Sequence, residues 1–230
     1  MNKFRHIKHI LYFSVFYCLT LFMLLSFQAI GASQHVLVKG AEDLDPNVLK
    51  LGMTAYQNAQ KQGLDQQGVL TIIDYSKPSY QRRLWVIDVK HNKVLYHTLV
   101  AHGKGSGGVK ATCFSNSGQT HASSIGVFVT GKTYHGKHGV SLYMHGLEPQ
   151  NNKAYKRHVV VHGAWYVSDK FVKQYGCVGR SWGCPALDEK VAQQVIKTIK
   201  GGTVIFSYYP DQEWLKSSEF LRRTPYTVMA

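Results

Sequence analysis

Two short segments carry residues whose types and spacing can do covalent chemistry. The first runs Gly179-Arg180-Ser181-Trp182-Gly183-Cys184-Pro185-Ala186-Leu187. A cysteine between glycine and proline sits on a constrained turn, here just before a helix expected from Asp188. Backbone N–H groups near a helix N-terminus favour a thiolate and can hold an oxyanion. Gly183 lets a substrate backbone come close. A free thiol ionises near ~8.5, so its surroundings must activate it at neutral pH. The second segment is His158-Val159-Val160-Val161-His162-Gly163. A β-branched run ending in His-Gly is a strand that delivers an imidazole at its tip, so His162 is the expected general base. His158, four residues earlier, is placed on the same face of that strand. Arg180 can grip a carboxylate in bidentate fashion or serve a surface ion pair. Ser181 can cap the turn or bond the histidine.

The elements that position these groups are mostly strands. Asp45-Pro46 reads as a cap and first helical residue, with Val48, Leu51, Ala55 and Ala59 following at helical spacing over 46–62. The period then changes. Strands are predicted at 69–73, 83–89, 94–101, 125–130, 141–145, 158–162 and 203–209. Short helices are predicted from Val167 to Tyr175 and from Asp188 to Lys200, the second stopped by Gly201-Gly202. His102 to Gly108 holds four glycines and reads as a loop. It lacks the spacing of a phosphate-binding loop and no helix follows it. The tail from Asp211 is polar with scattered apolar residues. Tyr134 and Tyr143 could line a groove or fill a core.

Composition agrees with a globular chain: 44% hydrophobic and 17% charged among 230 residues, with fourteen Tyr and ten Phe. Lys3, Arg5 and Lys8 precede an uncharged apolar run over 10–30, then Ala29, Gly31, Ala32 and Ser33. That is the order of a secretory signal, and the run is also long enough to anchor in a bilayer. Loss of those three cations takes the net charge from +14 to +11. For an exported, periplasmic domain this charge suits anionic envelope polymers or acidic peptides, and nucleic acid is not an expected partner. Cys18 lies in the apolar run and reads as inert. Cys113, Cys177 and Cys184 leave an odd count, so at least one thiol is expected free.

These residues resemble the murein L,D-transpeptidases, the YkuD-like cysteine enzymes, whose pattern is a strand ending in His-Gly followed by Ser-His-Gly-Cys. The match is closer to a divergent branch with Gly-Arg-Ser-x-Gly-Cys-Pro-Ala-Leu, here Gly179 to Leu187. Ser115-Asn116, Gly146-Leu147-Glu148 with Asn151 or Asn152, and Arg157 fill further places in that branch. Trp182 stands where the common motif has His, and Ala186 where it has Arg or Asn. The resemblance implies a mainly β, sandwich-like catalytic domain over 69–210. A signal peptide or anchor over 1–33 and a helical segment over 34–68 precede it, and a tail over 211–230 follows. It implies that Cys184 attacks a peptidoglycan stem peptide, with His162 as base and the N–H groups of Gly183 and Cys184 as oxyanion hole. Gly163, Arg180, Ser181 and Trp182 would support substrate or motif. The acyl acceptor would be a neighbouring stem amine, a lysine of an envelope protein, or water. No cofactor or metal is required, because a thioester needs only thiol, base and hole.

Two other classes of function compete. Twelve histidines, with His135 and His138 three apart and the pair His158 and His162, could ligate zinc. A non-catalytic module could grip the cell wall through its basic surface.

Overall fold

The computed structural model describes residues 38–222, so the apolar N-terminal run and Cys18 lie outside the described residues. Helix α1, Pro46–Lys61, starts where expected. Asp45 accepts from the Asn47 N–H at 2.7 Å, and Pro46 occupies the first turn, where its missing N–H costs nothing. Its buried face includes Val48, Leu49, Met53, Tyr56 and Ala59 and packs on the first and last strands of the chain.

Nine strands follow among the described residues: β1 Val69–Asp74, β2 Leu84–Asp88, β3 Lys93–Thr98, β4 Val100–Ala101, β5 Gly126–Gly136, β6 Gly139–Gly146, β7 Val160–Gly163, β8 Ala186–Leu187 and β9 Val204–Tyr208. Helices α2, Asp169–Tyr175, and α3, Glu189–Ile199, flank β8, and α4, Gln212–Ser217, follows β9. The architecture is mainly β with a few helices, as the sequence predicts. The sheet order is β3-β2-β1-β9-β5-β6-β7-β8-β4. The run 94–101, predicted as one strand, breaks at Leu99 into β3 and β4. These sit at opposite ends of that order although one residue separates them. The chain therefore joins the two ends, and the sheet curls into a barrel-like wrap.

Two further differences have clear causes. Strands β5 and β6 form one long hairpin that carries Lys137 and His138 at its tip. Glycines at 131, 136 and 139 hide this extension from periodicity. The described part of the tail, 211–222, is not a loose end: Trp214 and Phe220 are buried with α1 in the core. Glu148 clasps this tail, accepting from the Val127 N–H at 2.6 Å, from Trp214 Nε1 at 3.2 Å and from the Ser218 hydroxyl. Glu148 and Asn151, which the sequence offers only as motif matches, are thus scaffold residues. Helix α3 buries Ala192, Val195, Ile196 and Ile199 against β6 and β7, beneath the strand that carries His162.

Candidate active site

Strand register decides which side chains meet. β7 and β8 run parallel, with His162 opposite Ala186 and Gly163 opposite Leu187. Cys184 precedes Ala186 by two residues and Val160 precedes His162 by two. The Val160 N–H donates to Cys184 Sγ at 3.4 Å, and the thiol faces the His158 carbonyl at 3.6 Å. Cys184 and His162 line one cavity of about 620 Å³. A Cβ on Gly163 would stand 3.2 Å from that of Ala192, so the absent side chain lets α3 pack close under this strand.

The turn before Cys184 is held by a buried serine. Ser181 Oγ donates to the Cys184 carbonyl at 2.6 Å and accepts from the Gly183 N–H at 3.1 Å. Gly183 has φ +118°, and a Cβ there would stand 2.8 Å from the Ala122 carbonyl. Ser123 Oγ donates to the Gly183 carbonyl at 3.1 Å and accepts from the Gly103 N–H at 3.0 Å. The Ser181 N–H reaches the His102 carbonyl at 3.0 Å. Below lies Arg83, fully buried, which donates to the Lys77 and Val100 carbonyls and to His102 Nδ1 at 2.7 Å. Arginine only donates, so Nδ1 is the lone-pair nitrogen and Nε2 carries the proton toward the Gly107 carbonyl. Burial, and then the Arg83 charge, pushes His102 down to about 4.

Three expectations need correction. Cys184 is not at a helix N-terminus: β8 intervenes, and α3 starts at Glu189 with Asp188 capping the Lys190 N–H. The Gly183 N–H is committed to Ser181 Oγ, which takes it out of the oxyanion hole in this arrangement; the Cys184 N–H has no hydrogen-bond partner among the described residues. His158 is not on the strand face, because β7 begins at Val160 and His158 adopts φ +54°. It still lines the cavity. So do Gln119 (φ +63°) and His121 (φ +52°). Of four non-glycine residues in this region of backbone space among those described, three border the cavity. Strain concentrated at one site is a mark of function.

Positive charge near the thiol comes from side chains rather than from a helix. The Arg157 guanidinium donates to the Ser115 and Ala122 carbonyls and to Ser124 Oγ, each at 2.7 Å. Burial pushes the Cys184 thiol above its usual range, and the Val160 N–H, Arg157 and Lys137 oppose that rise. Burial also depresses His162, opposed by its hydrogen bond to the Gly163 carbonyl. That bond, at 2.8 Å, places the proton on Nδ1 and leaves Nε2 able to accept one. Both shifts favour the neutral forms of thiol and imidazole.

Aromatic and cationic side chains ring the site, and of these His121 and Lys104 carry no signal at sequence level. His138 stacks over His162 with ring centroids 4.5 Å apart. His121 lies 4.6 Å over Trp182, and Lys104 Nζ sits 5.1 Å from the same ring. Trp182 is 69% exposed, so it serves the surface of the cavity and not the core. Arg180 lines the cavity, and its guanidinium donates to the Gly107 carbonyl at 3.3 Å. Cys113, Cys177 and Cys184 are free thiols, so the conceivable pairings of Cys177 with Cys113 or with Cys184 are not formed.

A catalytic domain built around a strand-borne histidine and a turn-borne cysteine is a defined class. The chain belongs to the L,D-transpeptidase catalytic-domain family, whose signature matches residues 40–208. Among solved structures it is similar to an L,D-transpeptidase from Mycobacterium smegmatis, at 15% identity over 62% of this chain and 59% of that one, with a TM-score of 0.38. It is similar to an L,D-transpeptidase from Xylanimonas cellulosilytica at 14% identity over 71% and 94%, TM-score 0.38. Another, from Stackebrandtia nassauensis, shares 15% identity over 70% and 67%, TM-score 0.37. The chain spans about three fifths of the mycobacterial protein's length. No curated protein matches it.

Proposed function

We propose that this chain is an exported cysteine acyltransferase acting on peptidoglycan stem peptides. The observation that carries the reading is Cys184 Sγ, held between the Val160 N–H and the His158 carbonyl, in one cavity with His162 and Arg157. In the first half-reaction His162 Nε2 takes the thiol proton as Sγ attacks the carbonyl of the third stem residue. A tetrahedral oxyanion forms beside the Cys184 N–H. The C–N bond to the terminal D-alanine breaks, and that amine leaves with the proton from His162. The product is a thioester on Cys184. In the second half-reaction an amine of a neighbouring stem, a lysine of an envelope protein, or water attacks the thioester, passes its proton to His162, and releases the thiol. The cavity lining contains Lys137, Arg157 and Arg180 and no carboxylate. This suits a substrate bearing free carboxylates. The basic and then apolar order of residues 1–33 supports export to the periplasm, by a cleaved signal or a retained anchor.

The test is intact-mass analysis after incubation with a disaccharide-tetrapeptide. The expected adduct on the unmodified chain is absent from Cys184→Ala, and His162→Ala slows its formation by roughly a hundredfold or more. An adduct that survives Cys184→Ala sinks the proposal. Muropeptide analysis then separates cross-links, protein-linked stems and trimmed tripeptides.

A further inference from the structure

A second depression, of about 1050 Å³, lies among the irregular stretch of β5, the outer face of β6, Tyr155, and the turns at Gln67 and Lys200. Alternation along β6 explains its lining. Leu142 and Met144 are buried in the core, so Tyr143 and His145 face outward. Gly131 makes room for His145, since a Cβ there would stand 2.7 Å from Nε2. Tyr155, 51% exposed, stacks on His145 with centroids 4.7 Å apart and rings 16° from parallel. Tyr155 also lies 5.2 Å from Tyr143, which stacks on Tyr134 at 4.7 Å. Tyr134 lines the cavity of Cys184, whereas Tyr143, His145 and Tyr155 line the second depression. An unbroken row of four rings thus joins the two.

Exposed rings that carry polar edges and fill no core mark a contact surface. Pyranose rings present flat C–H faces that lie on aromatic faces, and their hydroxyl and acetamido edges seek amide and ammonium partners. Gln67 supplies the amide, fixed by its hydrogen bonds to the Lys200 and Gly201 carbonyls at 2.6 and 2.8 Å, and Lys132 and Lys200 supply the ammonium groups. A stem peptide is covalently attached to its glycan, so a peptide seated at Cys184 must lead its sugar outward along some path. We propose that the row from Tyr134 to Tyr155 is that path, a subsite for the β-linked N-acetylhexosamine strand. This rests on the stem-peptide reading of the Cys184 cavity. A single-stranded nucleic acid also stacks on aromatic rings beside lysines, but nothing joins it to the cavity's peptide chemistry.

The experiment uses the full chain in two arms. In the first, chitotetraose is titrated and followed by chemical shifts. Binding is expected for the unmodified chain and for Tyr155→Phe. It is expected to be at least tenfold weaker for Tyr155→Ala, with an unchanged melting temperature because Tyr155 is exposed. In the second arm, Tyr155→Ala raises KM for a glycan-linked tetrapeptide about tenfold and leaves KM for the free tetrapeptide unchanged. The subsite is overturned if chitotetraose does not bind, if Tyr155→Ala binds it as well as the unmodified chain, or if both substrates suffer equally. An oligo-dT that binds through Tyr155 where chitotetraose does not overturns it as well. A chain that binds chitotetraose through Tyr155 but never acylates refutes the reading of Cys184 instead.

Discussion

Ser181→Ala removes one oxygen and disturbs the whole turn before the nucleophile. The hydroxyl donates to the Cys184 carbonyl at 2.6 Å and accepts from the Gly183 N–H at 3.1 Å, and the residue is buried. A hydrogen bond contributes about 1 kcal/mol net, and a buried group left without its partner costs about 1–3 kcal/mol. Two groups lose one partner here, the buried Gly183 N–H and the part-buried Cys184 carbonyl. The expected loss is therefore about 2–3 kcal/mol. Falling on stability, this lowers the melting temperature by roughly 4–12 °C for a chain of this size. Falling on the placement of Sγ, the same energy slows acylation about 30- to 150-fold. Calorimetry and a time course of thioester formation by intact mass read the two shares separately. A variant that melts within about 1 °C of the unmodified chain and acylates at its rate refutes the assignment of Ser181 as the brace of the turn.

Two further perturbations follow from buried groups. His102 ordinarily titrates near 6.5 and is pushed down to about 4 in the fold, so the unfolded chain binds the extra proton first. Stability from this group is complete above about pH 6.5 and falls by about 3 kcal/mol as the pH drops to about 4. His162 is depressed for the same reason and adds to the fall. Urea unfolding at pH 7 and pH 4.5 measures it, and His102→Asn, which retains an acceptor for Arg83, flattens the dependence. An equally steep fall in that variant contradicts the account. Glu148→Ala leaves the Val127 N–H and Trp214 Nε1 without acceptors in the core, at a cost of about 3 kcal/mol. Limited proteolysis then clips the segment around 211–222 before the barrel, and uniform resistance argues against the clasp.

The chemistry was more legible in the sequence than its support. Cys184 and His162 stand out because a Gly-Cys-Pro turn and a His-Gly strand end are local patterns. The helices at 46–61 and 189–199 were equally plain, since Asp45 and Asp188 cap runs of helical period. Arg157 shows no such signal as a carbonyl-bound cation, because its partners Ser115, Ala122 and Ser124 lie 33 to 42 positions away. His121 over Trp182 and His138 over His162 are contacts of the same long-range kind. The break at Leu99 is silent because each half of the run is an acceptable strand, and only closure of the sheet separates them. His158 misled because β-branched neighbours extend the strand pattern through a residue whose backbone is left-handed.

The order of strands has a consequence for how the protein is made. β9 runs parallel to β1 on one side and antiparallel to β5 on the other, so the last of the described strands to be synthesised lies in the middle of the sheet. Until residues 204–208 arrive, the strands before them form two separate pieces, each with a bare edge of unpaired backbone groups. A chain emerging from its N-terminal end must hold those edges apart and wait. Folding is then set by a contact spanning some 130 residues, from Leu70 to Val204, and contacts of such long range close slowly. The residues that line the cavity of Cys184 all lie between Gly118 and Cys184, so every wall of the reactive site has been synthesised before the keystone that closes the sheet.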